Sequence, residues 1–156
     1  MSVDHGEVVV RVAVAGDVVA IAGLRVQWTA GAGEDSDFER RIADWLAAEG
    51  QRRTLWLAMH GDLPIEMASV LEYHRMPRPG RPDSRWGYIS NMFVREDFRN
   101  RGAGSALLQT IIAAARDRGY ARLVLSPAER ALPFYRRARE SRDDDPSEDC
   151  HAAPRG

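Results

Sequence analysis

Asn91-Met92-Phe93-Val94-Arg95-Glu96-Asp97-Phe98-Arg99-Asn100-Arg101-Gly102-Ala103-Gly104-Ser105 carries the chain from an extended, aromatic-containing run into a helical pattern. Residues 87–94 read as a strand, and residues 103–118 place Ala106, Leu107, Thr110, Ile111 and Ala114 on one side of a helix that Gly119 ends. The first turn of a helix presents unpaired N–H groups and a partial positive charge. Gly102 and Gly104 let a diphosphate approach the backbone, and Arg99 and Arg101 add fork-shaped donors. The stretch is therefore an anion cradle by its chemistry. It has neither the Gly-x-x-x-x-Gly-Lys-Ser/Thr spacing of a nucleotide-hydrolysing loop nor the Gly-x-Gly-x-x-Gly of a dinucleotide site. A solvated arginine-rich turn eased by glycines is the plainer reading of such a motif in isolation, so its surroundings matter.

Downstream, 122–125 reads as a short buried strand and 131–139 as a short helix entered through Pro127 and Pro133. Upstream, 8–14 is a β-branched strand, and Asp17 can cap a helix in which Val18, Ile21, Leu24 and Trp28 share a face. Ser36-Asp37-Phe38-Glu39 has capping-box form, with Ser36 as the cap of a second helix whose Phe38, Ile42, Trp45 and Leu46 face one way until Gly50. Strands over 54–59 and 65–73 flank the turn His60-Gly61-Asp62-Leu63-Pro64, and the proline-rich stretch 74–85 reads as a loop. The order is β-α-α-β-β-β-α-β-α. Strands joined by turns pair antiparallel, whereas the strand–helix–strand step from 87 to 125 is parallel and right-handed. The fold class expected is α/β (α+β): a mixed, mostly antiparallel central sheet with helices on both faces.

The chain has 156 residues, 44% of them apolar and 29% charged, which suits one globular domain with its own core. A lone cysteine, Cys150, excludes an internal disulfide framework and a cysteine-based zinc site. No apolar run is long enough to span a bilayer, and the first residues lack the basic start and apolar stretch of a signal peptide. A cytoplasmic protein is the expectation. All 22 basic residues are arginine, which excludes a lysine nucleophile. The net charge of −1 is uneven: residues 140–156 hold six acids and two arginines, and the rest of the chain is weakly positive. That positive charge is too slight to argue for a nucleic-acid partner. Residues 1–139 are read as one domain, and 140–156 as an acidic polar tail without the apolar side chains of a packed element.

In that context the segment 91–104 resembles the central motif of the GCN5-related N-acetyltransferase (GNAT) family, [Arg/Gln]-x-x-Gly-x-[Gly/Ala] after the fourth strand. Leu123-Val124-Leu125 resembles the family's fifth strand, and Ala131-Leu132-Pro133-Phe134-Tyr135 its Ala-x-x-[Phe/Leu]-Tyr helix. The resemblance covers about residues 8–139. It implies acetyl-CoA as co-substrate and no metal. The pyrophosphate would lie at the amides of Arg99, Asn100, Arg101, Gly102, Ala103, Gly104 and Ser105, and the pantetheine arm along Met92, Phe93 and Val94. It further implies that this strand splays from Leu123-Val124-Leu125 to open a slot for the thioester, with a backbone N–H near Val94 as oxyanion donor. Two departures stand out. Ala128 occupies a position where many members have asparagine, and the Gly-Phe and two closing strands that often follow the tyrosine helix are replaced by the acidic tail. A sheet without those strands, covered in a homodimer, is one expectation.

Acetyl transfer to an amine requires loss of a proton from the ammonium, stabilisation of an oxyanion and protonation of the departing thiolate. Tyr135 suits the last task by resemblance, because a phenol of pKa near 10 can protonate a thiolate whose acid has a pKa of about 8.5; a core tyrosine capping a carbonyl is the alternative. For the base, Glu72 late in the third strand is a candidate and equally a surface strand residue; a chain of waters needs no dedicated base. Glu34, between the first two helices, can hold an acceptor ammonium or simply be a solvated turn residue, and Asn91 is a further candidate for acceptor contact. Trp28 and Trp45 read as core. The loop 74–85 carries Arg75, Arg78, Arg81 and Arg85 against Asp83 alone, which keeps tRNA open as a partner beside a solvated loop. The function expected is therefore N-acetyl transfer from acetyl-CoA to a primary amine of a small molecule or peptide. An acyltransferase acting on tRNA, or a non-catalytic acyl-CoA-binding module, is the alternative.

Overall fold

The computed structural model describes residues 7–29, 31–99 and 103–126. The helix expected over 131–139, the tail 140–156, Tyr135 and Cys150 lie outside the described residues, as do Asn100, Arg101 and Gly102. In chain order the elements are β1 (Val8–Val12), α1 (Val18–Trp28), α2 (Phe38–Glu49), β2 (Arg53–His60), β3 (Leu63–His74), β4 (Arg85–Val94), α3 (Ala103–Asp117) and β5 (Leu123–Leu125). The five strands form one sheet in the order β1-β2-β3-β4-β5. The first four pair antiparallel, and β5 pairs parallel to β4. This is the mixed sheet the strand order called for.

Helices cover both faces of the sheet, and strand alternation sorts the side chains between them. Trp56, Ala68, Val70 and Ile89 pack with Leu107, Leu108 and Ile111 of α3. Leu55, Leu57, Met67 and Phe93 pack with Ile21 and Leu24 of α1, and Ile42, Trp45 and Leu46 of α2 close that side. Burial on both faces is why β2 carries an unbroken apolar run: Leu55 to Ala58 is buried throughout. Trp28 and Trp45 pack against the α1/α2 cluster, as their spacing indicated.

Local chemistry sets the ends of the elements. The β2–β3 hairpin turns on Gly61, whose φ of 60° is open to glycine at little cost. Gly119, with φ 70°, ends α3: its N–H bonds to the Arg116 carbonyl and the Tyr120 N–H to the Ala115 carbonyl, the paired bonds of a Schellman stop. Asp17 stands at the cap position of α1, but its carboxylate serves β1 instead. It accepts from the Val14 N–H at 2.7 Å and from the Arg11 fork at 2.7 and 2.8 Å, which holds its pKa down at about 2. Ser36 is not the cap of α2. The helix starts at Phe38 behind Asp37, with no side-chain cap bond, because Arg40 captures the Asp37 carboxylate one turn on. Asp35 accepts the Asp37 N–H at 3.2 Å.

Gly87 sits where the end of α3 meets the sheet. A Cβ there would lie 2.7 Å from Leu123 and 2.9 Å from the Tyr120 ring. The ring crosses this gap so that the Tyr120 hydroxyl can donate to Glu72 of β3 at 2.6 Å. Gly87→Ala should therefore force Tyr120 and Leu123 aside and cost about 1–3 kcal/mol, read as a lower urea midpoint at unchanged slope. A midpoint equal to that of the parent would show that the ring is not fixed there.

Candidate active site

β4 is the strand that builds the site, and it is irregular. Among the described residues its pairing with β5 spans Gly87 to Ile89, and the Ser126 N–H reaches the Ile89 carbonyl at 3.3 Å. β4 runs on to Val94 beside β3. The register there slips by one: Met67 faces Phe93 and Ser69 faces Ser90, so Asn91 and Met92 stand opposite Ala68 alone. This is a β-bulge, and Asn91 has a φ of 54°, a left-handed conformation that asparagine tolerates better than most residues. Its consequence is visible in the packing. Ile89 and Met92 share the α3 face, and Phe93 turns to the α1 face; regular alternation would have put Ile89 and Phe93 together.

The bulge is fastened from the α2 side by a chain of polar groups. Glu49 accepts from Arg53 at 2.7 Å, and Arg53 donates to the hydroxyl of fully buried Ser69 at 2.7 Å. Ser69 and Ser90 hydroxyls lie 3.2 Å apart, and the Asn91 amide approaches both at 3.4 Å. Arg53 also lies over the Trp45 ring, 4.9 Å from its centre, which spreads its charge on an aromatic face.

Past Val94 the chain turns towards the helix. The Arg95 N–H bonds to the Ile65 carbonyl at 2.8 Å, a single 3₁₀ turn follows at Glu96–Phe98, and Phe98 packs beside His60. Arg99 is exposed and its Nε approaches the Val94 carbonyl at 3.4 Å. α3 then begins at Ala103, with Gly104 and Ser105 in its first turn. A strand ending at Val94 and a helix from Ala103 are what the sequence motif implied; the bulge between that strand and β3 is an addition of the structure. A model of the acetyltransferase (GNAT) family matches residues 19–139. The chain belongs to that family.

Other comparisons agree with this membership. A glucosamine 6-phosphate N-acetyltransferase of Trypanosoma brucei brucei is 30% identical over 71 residues, 46% of this chain and 46% of that protein, so the match spans just under half of the relative's length. An acetyltransferase structure from Clostridium acetobutylicum, solved with acetyl-CoA, superposes with a TM-score of 0.67 at 17% identity, covering 96% of each chain. Glucosamine-6-phosphate N-acetyltransferase from Arabidopsis thaliana superposes with a TM-score of 0.64 at 16% identity, over 96% of this chain and 98% of that one. At such identities the two structures speak for the fold.

Within this GNAT domain the expected site residues are spread unevenly. Asn91, Met92, Phe93 and Val94 form the bulged end of β4 and lead directly to Arg99 and the first turn of α3. Glu72 lies elsewhere. It pairs with Gly87 on the α3 face, six residues along β3 from the end beside the cradle, about 20 Å at 3.3 Å per residue. Its carboxylate accepts from Tyr120 at 2.6 Å, from His74 at 2.8 Å and from Arg85 at 3.3 Å. The Tyr120 hydrogen bond, then those of His74 and Arg85, hold its pKa below the ordinary value, and burial pushes the Tyr120 phenol up.

Glu34 borders a cavity of about 500 Å³ between the end of α1 and the start of α2, which Arg25, Thr29, Asp35, Phe38 and Arg41 also line. Trp28, which precedes the lining residue Thr29 at the end of α1, stacks on Phe93 of β4 with ring centres 5.9 Å apart.

One buried group was not anticipated. Glu66 alternates with Ala68 and Val70 on β3, faces Val94 on one side and Ala58 on the other, and is fully buried. Neither carboxyl oxygen has a hydrogen-bond partner among the described residues, and desolvation raises its pKa to about 8. A single acid within the apolar run Ile65-Glu66-Met67-Ala68 is the signal that was available. Among the described residues, no group of three or more His, Cys, Asp or Glu is gathered as a metal site would need, and no helix is long and apolar enough to cross a membrane.

Proposed function

We propose that the protein transfers an acetyl group from acetyl-CoA to the primary amine of a small molecule. The observation that carries this reading is the bulge at Asn91, which turns Phe93 away from the α3 face just before β4 ends at Val94 and the chain enters the arginine-bearing turn ahead of α3. The donor fits these residues: the pantetheine arm would lie along Met92, Phe93 and Val94, and the pyrophosphate at the turn of residues 99–105, where helical N–H groups and arginines oppose its charge. When bound, acetyl-CoA supplies an activated acyl carbon and a thiolate leaving group. The amine attacks that carbon directly, and Tyr135 returns a proton to the sulfur. Glu72 is already engaged by three donors, so the ammonium proton passes to water in this reading. A small-molecule acceptor is favoured over a peptide because the relative 30% identical over 71 residues carries the name of an amino-sugar acetyltransferase.

Thermal unfolding with acetyl-CoA tests the donor. A ligand at 100-fold over its Kd adds about 2.7 kcal/mol, roughly 5–10 °C for a chain of this size. The shift should appear in the parent and vanish in Gly102→Trp, provided the variant still unfolds cooperatively. Thiol release with a panel of amines then tests turnover. A well-folded parent with no shift would exclude acetyl-CoA as donor; a shift with no turnover on any amine would leave an acyl-CoA-binding module.

A further inference from the structure

The cavity between α1 and α2 holds an arginine with nothing to bind. Of its four charged side chains, Arg41 and Asp35 satisfy one another, with Nη1 and Oδ2 2.7 Å apart. Arg25 makes no side-chain hydrogen bond or ion pair among the described residues. Its guanidinium lies over the Trp28 ring, 4.2 Å from the centre. A guanidinium held over an aromatic face keeps its N–H donors available, and the contact restrains the side chain. A fork with little rotamer freedom left to lose is suited to a two-oxygen acceptor such as a carboxylate or phosphate. Trp28 also stacks on Phe93, so one indole contacts both the Arg25 guanidinium beside the cavity and the bulged strand β4.

We infer that Arg25 is the specificity-determining residue of the acceptor site, and that the acceptor is an amine bearing a compact oxyanion, a phosphate or a carboxylate. This rests on the acetyl-transfer reading above. The anion would be held at Arg25 in the cavity, with the amine extended past Trp28 and Phe93 towards the bulge. Glu34, on the same rim, disfavours a second negative charge and helps select for a single anion on a cationic molecule.

The test is kinetic and uses matched acceptors with and without the anion: glucosamine 6-phosphate against glucosamine, and β-alanine against β-alaninamide. The parent should prefer the anionic member of at least one pair in kcat/KM, and the pair that shows the preference identifies phosphate or carboxylate as the group read. Arg25→Met should lower kcat/KM for that member about 10- to 100-fold, as expected for losing a charge-assisted pair, and bring the ratio within the pair close to one. Arg25→Lys keeps the charge without the fork and should recover part of the loss. Both variants should keep the thermal shift with acetyl-CoA, which separates damage at Arg25 from failure of the donor site. If no amine is turned over, calorimetric titration of the same four compounds into the acetyl-CoA complex replaces kinetics: binding of an anionic member that Arg25→Met abolishes sustains the site although transfer has failed. Equal treatment of both members by the parent, an equal loss for both in Arg25→Met, or no binding and no turnover of either anionic compound overturns the inference.

Discussion

Replacing Glu66 with methionine should stabilise the protein, and the gain should grow with pH. The Glu66 carboxyl is buried with no partner among the described residues, and its pKa stands at about 8 against an ordinary 4.5 because burial penalises the charged form. Between these two values the folded state keeps a proton that the unfolded state has released. Folding then takes up a proton, so stability falls as pH rises from about 4.5 to about 8 and levels off above. At 1.36 kcal/mol per pH unit the loss is of order 5 kcal/mol over the full window, and about 3 kcal/mol of it is already present at pH 7. Methionine has similar length and no polar atom, so it removes both this penalty and the unsatisfied hydroxyl of the neutral acid. Glu66→Gln removes only the titration. Urea unfolding at pH 5, 7 and 8.5 distinguishes the three chains: the parent weakens steeply, the glutamine variant holds level through this window, and the methionine variant is the most stable from pH 7 upward. A parent with no loss between pH 5 and 8.5, or a glutamine variant with the parent's slope, would refute burial as the cause.

That a group of this kind sits at 66 was not readable from pattern alone, and the reason is instructive. Period and turn chemistry are local, so the order of strands and helices, the stop at Gly119 and the turn at Gly61 follow from a few adjacent residues each. The strand and the helix that flank the proposed cradle were legible for the same reason, because the end of β4 and the start of α3 are encoded within 15 consecutive residues. Register is not local. The bulge at Asn91 exists only relative to Ala68 on the neighbouring strand, and asparagine at that position is at most a weak cue for a left-handed residue. Nor does spacing reveal which carboxylates find donors. Glu72 looks like a free acid in the sequence, yet Tyr120, 48 residues on, reaches it over the bare backbone of Gly87. Glu66 looks like an error in an apolar strand, and the fold closes around it from both sides. The Ser36 cap fails in the same way, because Arg40 competes for the carboxylate of Asp37. In each case a long side chain or a cross-strand neighbour decides what local preference leaves open.

Tyr135→Phe should lower kcat about 100- to 10,000-fold while leaving the KM for acetyl-CoA nearly unchanged. The position lies outside the described residues; Ala131-Leu132-Pro133-Phe134-Tyr135 resembles the family's tyrosine helix, and the leaving group is a thiolate. Attack of an amine on the thioester gives an intermediate that collapses by expelling the sulfur. An acid that delivers a proton as the carbon–sulfur bond breaks contributes typically 10²–10⁴. A phenol with pKa near 10 is protonated at neutral pH, and its proton transfers downhill to a thiolate whose acid has a pKa of about 8.5. The hydroxyl makes this contact only as charge develops on sulfur, so its loss should fall on kcat and not on donor binding. The pH profile gives a second readout. In the parent, kcat should decline as the tyrosine ionises, near pH 10; in the variant that decline should disappear along with the rate. Thiol release at saturating amine, followed from pH 6 to 10.5, measures both quantities. A variant within twofold of the parent at every pH would assign protonation of the sulfur to solvent and leave Tyr135 a packing role. A loss confined to KM would make it a donor-binding residue instead.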